Sequence, residues 1–120
     1  MLIENTIRAN MLCDFYGTLL SERQHGVVNM YYANDMSLSE IALDMGISRQ
    51  AVHNILKKAV GELERYESKL SLLSKFCVVE QATRMVKDEI MCLAAERRGD
   101  KALYSRLQGI YGAIEQIEAM

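Results

Sequence analysis

Apolar residues recur every four positions at the start of the chain, a spacing that predicts an amphipathic helix. The repeating positions are Ile3, Ile7, Met11 and Phe15, and the stripe is widened by Leu12 and Leu19. We expect this helix to end near Gly17. Ser21 and Gln24 then fit a capping box, which predicts a second helix that ends around Asn34 and Asp35.

Two capping signals frame a third and a fourth helix. Ser37 and Glu40 fit another capping box, and Gly46 follows the short apolar run where left-handed backbone is needed. Ser48 caps a long helix. The predicted inward face of that helix comprises Val52, Ile55, Leu56, Ala59, Leu63, Tyr66 and Leu70. The pattern weakens over residues 68–74, so we expect the helix to bend or end there.

Beyond this point, apolar residues alternate steps of four and three, the spacing of a coiled-coil seam. They are Leu72, Phe76, Val79, Thr83, Val86, Ile90 and Leu93, then Leu103, Leu107, Ile110, Ile114 and Ile117. Between the two runs, Gly99 suits the left-handed position after a helix, and Asp100 can cap the next one. Two seams joined by a tight turn predict an antiparallel hairpin or a dimerisation surface. Gly109 and Gly112 favour a close helix approach or a frayed end.

The elements together predict an all-α fold of five or six helices. We place a helix-turn-helix DNA-binding domain at residues 1–70, with its motif at 38–57, and a long-helix C-terminal hairpin at 71–120 for dimerisation or partner docking. The absence of Pro suits helices, and the 50% hydrophobic content excludes a disordered chain. No stretch approaches the ~20 apolar residues that span a bilayer. Met1 to Glu4 lack a targeting pattern, so we expect a cytoplasmic protein.

Residues 38–57 meet the packing demands of a helix-turn-helix. A small residue lets two helices cross closely, a residue that tolerates positive φ makes the turn, and apolar residues lock the pair. The residues that supply these features are Ile41, Ala42, Met45, Gly46, Ile47, Val52 and Ile55. The second helix of such a motif lies in the DNA major groove, so the pattern predicts binding of duplex DNA.

The outward face of that second helix carries hydrogen-bond donors and cations. Its residues are Ser48, Arg49, Gln50, His53, Asn54, Lys57 and Lys58. Arg49 suits guanine, Gln50 or Asn54 suits adenine, and the two lysines suit phosphates. The alternative is an ordinary solvated face, but residues 47–60 contain three cations and no acid. The whole chain has a net charge of −2, so we expect weak, salt-sensitive binding that depends on dimerisation or a partner.

Catalysis and metal binding find no support in the sequence. Cys13, Cys77 and Cys92 are odd in number and widely spaced, which favours reduced, buried thiols. His25 and His53 lack partners at metal-ligand spacing. A nucleophile arrangement and a Gly-rich phosphate loop are both missing. We therefore expect a protein that is not an enzyme and that needs neither a cofactor nor a metal.

Two family resemblances follow from these motifs. The segments Leu20 to Gln24, Ser37 to Ala42 and Gly46 to Ser48 resemble the promoter-reading region four of bacterial sigma factors. More specific segments resemble the bacterial YlxM family over about residues 6–75; they are Asp14 to Tyr16, Leu19-Leu20, Tyr31-Tyr32 with Asp35, Ser48 to Val52, and Leu63 to Leu70.

The YlxM resemblance implies a small cytoplasmic all-α protein that binds DNA. It also implies a gene that neighbours those of the signal recognition particle and its receptor, and hence a regulatory or accessory role in that pathway. Two hypotheses follow. One is a transcription regulator that dimerises through its C-terminal helices and binds half-sites about 34 Å apart. The other is an accessory protein that binds signal recognition particle protein or RNA without a sequence-specific DNA target.

Overall fold

The chain is all-α, as predicted, with six α-helices and no strand among residues 2–120. The structure is a computed structural model that describes the backbone of these residues and the side chains from Thr6 onward. Its helices are α1 (Leu2–Tyr16), α2 (Glu22–Val28), α3 (Leu38–Met45), α4 (Arg49–Leu70), α5 (Leu72–Glu96) and α6 (Lys101–Glu118). A 3₁₀ turn at Gly17–Leu19 follows α1, and a π-helical turn at Asn29–Ala33 extends α2. The chain divides into two compact units, Met1–Leu73 and Ser74–Met120.

The helix starts confirm the capping signals in the sequence. At α3, the Glu40 N–H donates to Ser37 Oγ and the Ser37 N–H donates to Glu40 Oε1, both at 3.1 Å. The same exchange opens α2 at Ser21. Single caps form at Ser48 and Asp100, whose side chains accept backbone bonds in the first turns of α4 and α6. These bonds satisfy N–H groups that a helix start leaves without a helical partner.

The inward face of α1 differs from the predicted one. Ile7 is 65% exposed and Leu19 is 53% exposed, whereas Ile3 lies outside the described side chains. The buried residues of α1 are Ala9, Leu12 and Tyr16. Of the predicted residues, Leu12 is buried and Met11 and Phe15 are partly buried against the core, so the prediction is confirmed for these three. The spacing of large apolar side chains missed the rest of the face because it gave no weight to a small Ala and to a Tyr whose hydroxyl has a buried partner.

The core of the first unit forms where α2, α3 and α1 pack against α4. Its buried side chains include Leu12, Tyr16, Val27, Val28, Ile41, Val52, Leu56, Ala59 and Leu63. Leu70 was predicted to face inward but is 47% exposed, since it is the last residue of α4. Ser71 follows in left-handed backbone, with φ +55°, and ends the helix. The weakened pattern of residues 68–74 therefore marks a helix end and not a bend.

A buried hydrogen-bond network secures this helix end within the first unit. The Tyr16 hydroxyl donates to Glu67 Oε1 at 2.6 Å, and the same oxygen accepts the Leu73 N–H at 3.0 Å. The Leu72 N–H donates to the Tyr16 hydroxyl oxygen at 3.0 Å. Burial raises the pKa of Tyr16, so the phenol keeps the proton that it donates.

The second unit is an antiparallel hairpin of α5 and α6. Lys87 forms an ion pair with Glu118, and its ammonium group lies 5.0 Å from the centre of the Tyr111 ring. Thr83 Oγ1 donates to the same Glu118 carboxylate at 3.3 Å. These contacts join the two helices near the end away from the turn.

Three glycines of the second unit behave differently from expectation. Gly99 lies in the turn between the helices but does not adopt left-handed backbone; among the described glycines, Gly46 does. A Cβ added to Gly109 or Gly112 would meet no atom within 4 Å. The close helix approach suggested by these two glycines therefore does not occur within the described chain.

Candidate nucleic-acid interface

Helices α3 and α4 form a helix-turn-helix around Gly46. This glycine has φ +67° and ψ +34°, and its N–H donates to the Ala42 carbonyl oxygen at the end of α3. Ile41, Ala42 and Val52 are buried in the core. Met45, Ile47 and Ile55 are partly buried against the same core. The geometry thus brings all seven predicted packing residues to the junction of the two helices.

All seven residues predicted to face DNA are exposed along the first half of α4. They are Ser48, Arg49, Gln50, His53, Asn54, Lys57 and Lys58. Ser48 also has a structural role, since its Oγ accepts the Ala51 N–H at 3.0 Å. The remaining six side chains project from a helix whose opposite face is fixed in the core. We refer to these seven residues as the α4 face.

The amides of Gln50 and Asn54 are joined by a hydrogen bond. Gln50 Nε2 donates to Asn54 Oδ1 at 3.1 Å, one helical turn along. The bond holds the two side chains in a fixed relation to each other and uses one of the two lone pairs of Asn54 Oδ1. The pair still presents the Gln50 oxygen and the Asn54 amide nitrogen. These are the acceptor and donor that the adenine edge requires.

Among the described residues, the cations of the α4 face form no ion pair with an acidic side chain. The ion pairs of the described residues join Arg8 to Glu64, Arg84 to Glu80, and Lys87 to Glu118. None of them involves Arg49, Lys57 or Lys58. A positive surface of this kind attracts phosphates even when the net charge of the molecule is slightly negative.

Two residues that the sequence reasoning missed extend this surface. Arg23 of α2 lines a shallow cleft of about 590 Å³ together with Asn54 and Lys58. Arg65 lines a neighbouring cleft of about 560 Å³ with Lys57 and Lys58, and the acidic Glu62 lines both clefts among these cations. Arg65 could have been found, because it follows Lys58 by seven residues and so lies on the same side of the helix. Arg23 could not, because its position depends on how α2 packs against α4.

The cysteines differ in part from expectation. Cys13 is partly buried, and burial raises the pKa of its thiol. Cys77 and Cys92 are exposed, because they lie on sides of α5 that the described chain does not cover. No group of three or more potential metal ligands occurs among the described residues. In the same part of the chain, no helix is long and apolar enough to cross a membrane.

These features define a helix-turn-helix protein. Helices α3 and α4 pack on a buried core, a left-handed turn at Gly46 joins them, and the exposed side of α4 is cationic. A family model described as "Putative helix-turn-helix protein, YlxM / p13 like" matches residues 3–102. The chain belongs to this family, UPF0122. The YlxM resemblance is thereby confirmed, and the match extends beyond residues 6–75.

Individual relatives are similar to this chain over most of its length. A UPF0122 protein of Geobacillus sp. (strain WCH70) is 39% identical over 107 residues, which cover 89% of this chain and 94% of that protein. A UPF0122 protein of Lactococcus lactis subsp. cremoris (strain MG1363) is 43% identical over 110 residues, covering 92% and 93%. One from Bacillus mycoides (strain KBAB4) is 36% identical over 117 residues, covering 98% and 100%.

Proposed function

We propose that this protein is a cytoplasmic, non-enzymatic transcription regulator that binds duplex DNA through the α4 face. The observation that carries the proposal is a set of exposed cations on the second helix of a helix-turn-helix. They are Arg49, Lys57 and Lys58, and none of them forms an ion pair within the part of the chain that the structure describes. Such a helix enters the major groove with its N-terminal residues at the base edges. The fold supports this mode of binding, and the family is one of helix-turn-helix proteins.

Each part of the α4 face has a proposed task. Arg49, in the first turn, reads guanine, and the hydrogen-bonded pair of Gln50 and Asn54 reads adenine. Lys57 and Lys58 lie later in the helix and hold phosphates, which fixes the register of the protein on the duplex. His53 lies between these groups and adds a further polar contact.

Selection from a pool of random-sequence duplexes tests the base-reading part of the proposal. We expect the wild-type protein to enrich a defined sequence. Arg49→Ala should lose the preference at the guanine position and keep the preference for adenine, because removal of the arginine costs about 1–3 kcal/mol of discrimination at that position. Arg84→Ala, which removes an exposed arginine of the second unit, serves as the control and should enrich the wild-type sequence. Equal enrichment by all three proteins would contradict the role of Arg49.

A second candidate is an accessory protein of the signal recognition particle. The observations in its favour are the net charge of −2, which is unfavourable for a protein held to nucleic acid by phosphate contacts alone, and the long apolar seams of α5 and α6, which could receive a partner helix. Purification of the native protein with and without nucleases distinguishes the two. Retention of the particle after nuclease treatment indicates a protein contact, and its loss with RNase indicates RNA. Absence of the particle from both samples argues against this candidate.

A further inference from the structure

The second unit leaves most of its apolar surface uncovered. Within Ser74–Met120, Ile90 and Leu107 are buried, at 8% and 6% exposure. Eleven other large apolar side chains of this unit are between 39% and 100% exposed. An apolar stripe on each of two helices can be only partly covered by the other helix, so this surface requires a further partner.

Six residues of this surface form a regular pattern. They are Val79, Val86 and Leu93 on α5 and Leu103, Ile110 and Ile117 on α6. Each set repeats every seven residues, and five of the six are at least 39% exposed, while Leu103 is partly exposed. Residues seven apart lie on one side of a helix and drift slowly around it, as in coiled-coil packing.

The two sets lie on the same side of the hairpin. Val79 and Ile117 line one cleft of about 420 Å³ at its open end. Because the helices are antiparallel, Val86 is then level with Ile110, and Leu93 is level with Leu103 beside the turn. We call these six residues the apolar face.

We propose that the apolar face binds the same face of a second copy of this chain and closes a four-helix bundle. A two-helix partner with the same heptad spacing is the natural complement of two heptad stripes, and a second copy supplies it through a self-complementary interface. The 18 residues of α6 span roughly 27 Å, and two helices are roughly 20 Å wide. An interface of these two dimensions buries on the order of 1,100 Å² of surface, counted over both copies, which is enough for a specific interface.

The charges of the hairpin determine the direction of pairing. Residues 96–106, at the turn, include four basic and two acidic side chains. The rest of Ser74–Met120 includes three basic and five acidic side chains. An antiparallel pair places the positive turn of each copy beside the negative portion of the other, whereas a parallel pair places like charges together. The two copies therefore pair antiparallel, with Val86 and Ile110 near the centre.

Sedimentation of the full-length protein, free of nucleic acid, tests the interface. We expect a wild-type dimer, and a monomer for Val79→Glu, which places a charge in the apolar face. Val78→Glu is the matched control, since Val78 is the adjacent residue, is 65% exposed and lies outside the heptad pattern, so this variant should remain a dimer. Circular dichroism checks that both variants keep their helices. If Val79→Glu loses its helices, Ile110→Glu replaces it, with Tyr104→Glu as its control.

A wild-type monomer at about 100 μM, well above a micromolar dissociation constant, would overturn the proposal, as would the same oligomeric state for both members of a matched pair.

Single cysteines, introduced after the native cysteines are replaced by serine, test the direction of pairing. Antiparallel pairing of two like faces sets α5 against α5 of the other copy, so Val86→Cys cross-links to itself and Val79→Cys cross-links to Leu93→Cys in a mixture. Parallel pairing sets α5 against α6, so cross-linking of Val79→Cys to Ile117→Cys would overturn the direction. Because neither experiment contains nucleic acid, failure here leaves the DNA-binding proposal untouched.

Discussion

Two glycines of the first unit illustrate opposite requirements at the scale of a single residue. Gly46 makes the turn of the helix-turn-helix with φ +67°, a conformation that costs other residues energy. Gly61 lies inside α4, and a Cβ added there would meet no atom within 4 Å. The same substitution should therefore have opposite effects at the two positions.

We expect Gly46→Ala to lower the free energy of unfolding by about 1–2 kcal/mol, the cost of left-handed backbone in a residue with a Cβ. Gly61→Ala should raise it by about 0.5–1 kcal/mol, because alanine stabilises a helix interior relative to glycine. Urea denaturation of both variants measures these changes. A shift in the same direction for both would contradict the assigned roles.

The buried network at the end of α4 gives a second prediction at this scale. Tyr16→Phe removes a hydroxyl that donates to Glu67 and accepts the Leu72 N–H, so a buried carboxylate and a partly buried N–H each lose a partner. We expect a loss of about 1–3 kcal/mol of unfolding free energy. Tyr66→Phe is the control, because Tyr66 stacks on Tyr16 at 6.0 Å without a hydrogen bond from its hydroxyl in the described chain. Equal losses in the two variants would show that the network adds nothing beyond packing.

Helix starts were the elements most easily predicted from the sequence. Ser37 and Glu40 exchange hydrogen bonds and are only three positions apart, so the local sequence contains both partners of the interaction. The face of α1 and the position of Arg23 were not predictable in this way, because both depend on the packing of distant helices. Exposure of the α4 face followed from periodicity alone. The Gln50–Asn54 hydrogen bond could also have been predicted, because the two residues are one helical turn apart.

The capping box of α3 makes the stability of this element depend on pH. Hydrogen bonds from the Ser37 N–H and hydroxyl hold the pKa of Glu40 below its usual value. A carboxylate whose pKa is lower in the folded state stabilises the fold above its unfolded pKa, and that contribution disappears as pH falls through the folded pKa.

We therefore expect Glu40→Gln to be less stable than wild type at about pH 7, and the difference to shrink as the pH falls below the ordinary glutamate pKa of about 4.3 and the carboxylate takes up its proton. Urea denaturation of both proteins across this range provides the measurement. A stability difference that stays constant down to about pH 3 would mean that the charge of Glu40 has no part in the cap.

At the scale of the whole molecule, the near-neutral charge and the proposed DNA binding are compatible. The net charge of −2 is a sum over the whole chain. The cations of the α4 face, in contrast, are concentrated on one exposed surface and form no ion pair among the described residues. The proposed pairing of two apolar faces would double this surface. Two weak contacts that are linked bind far more tightly than one, so dimerisation would offset the small number of cations in each copy.

Titration of a labelled duplex at several salt concentrations tests the central claim most directly. Arg49→Ala with Lys57→Ala is compared with Lys69→Ala with Arg84→Ala, which removes the same charge from outside the α4 face. We expect the first variant to lose at least about tenfold in affinity, and its logarithmic salt slope to become shallower by about 1 per copy bound because one phosphate contact is removed, while the control retains the wild-type values. Equal affinities and equal slopes for the two variants would contradict DNA binding through the α4 face.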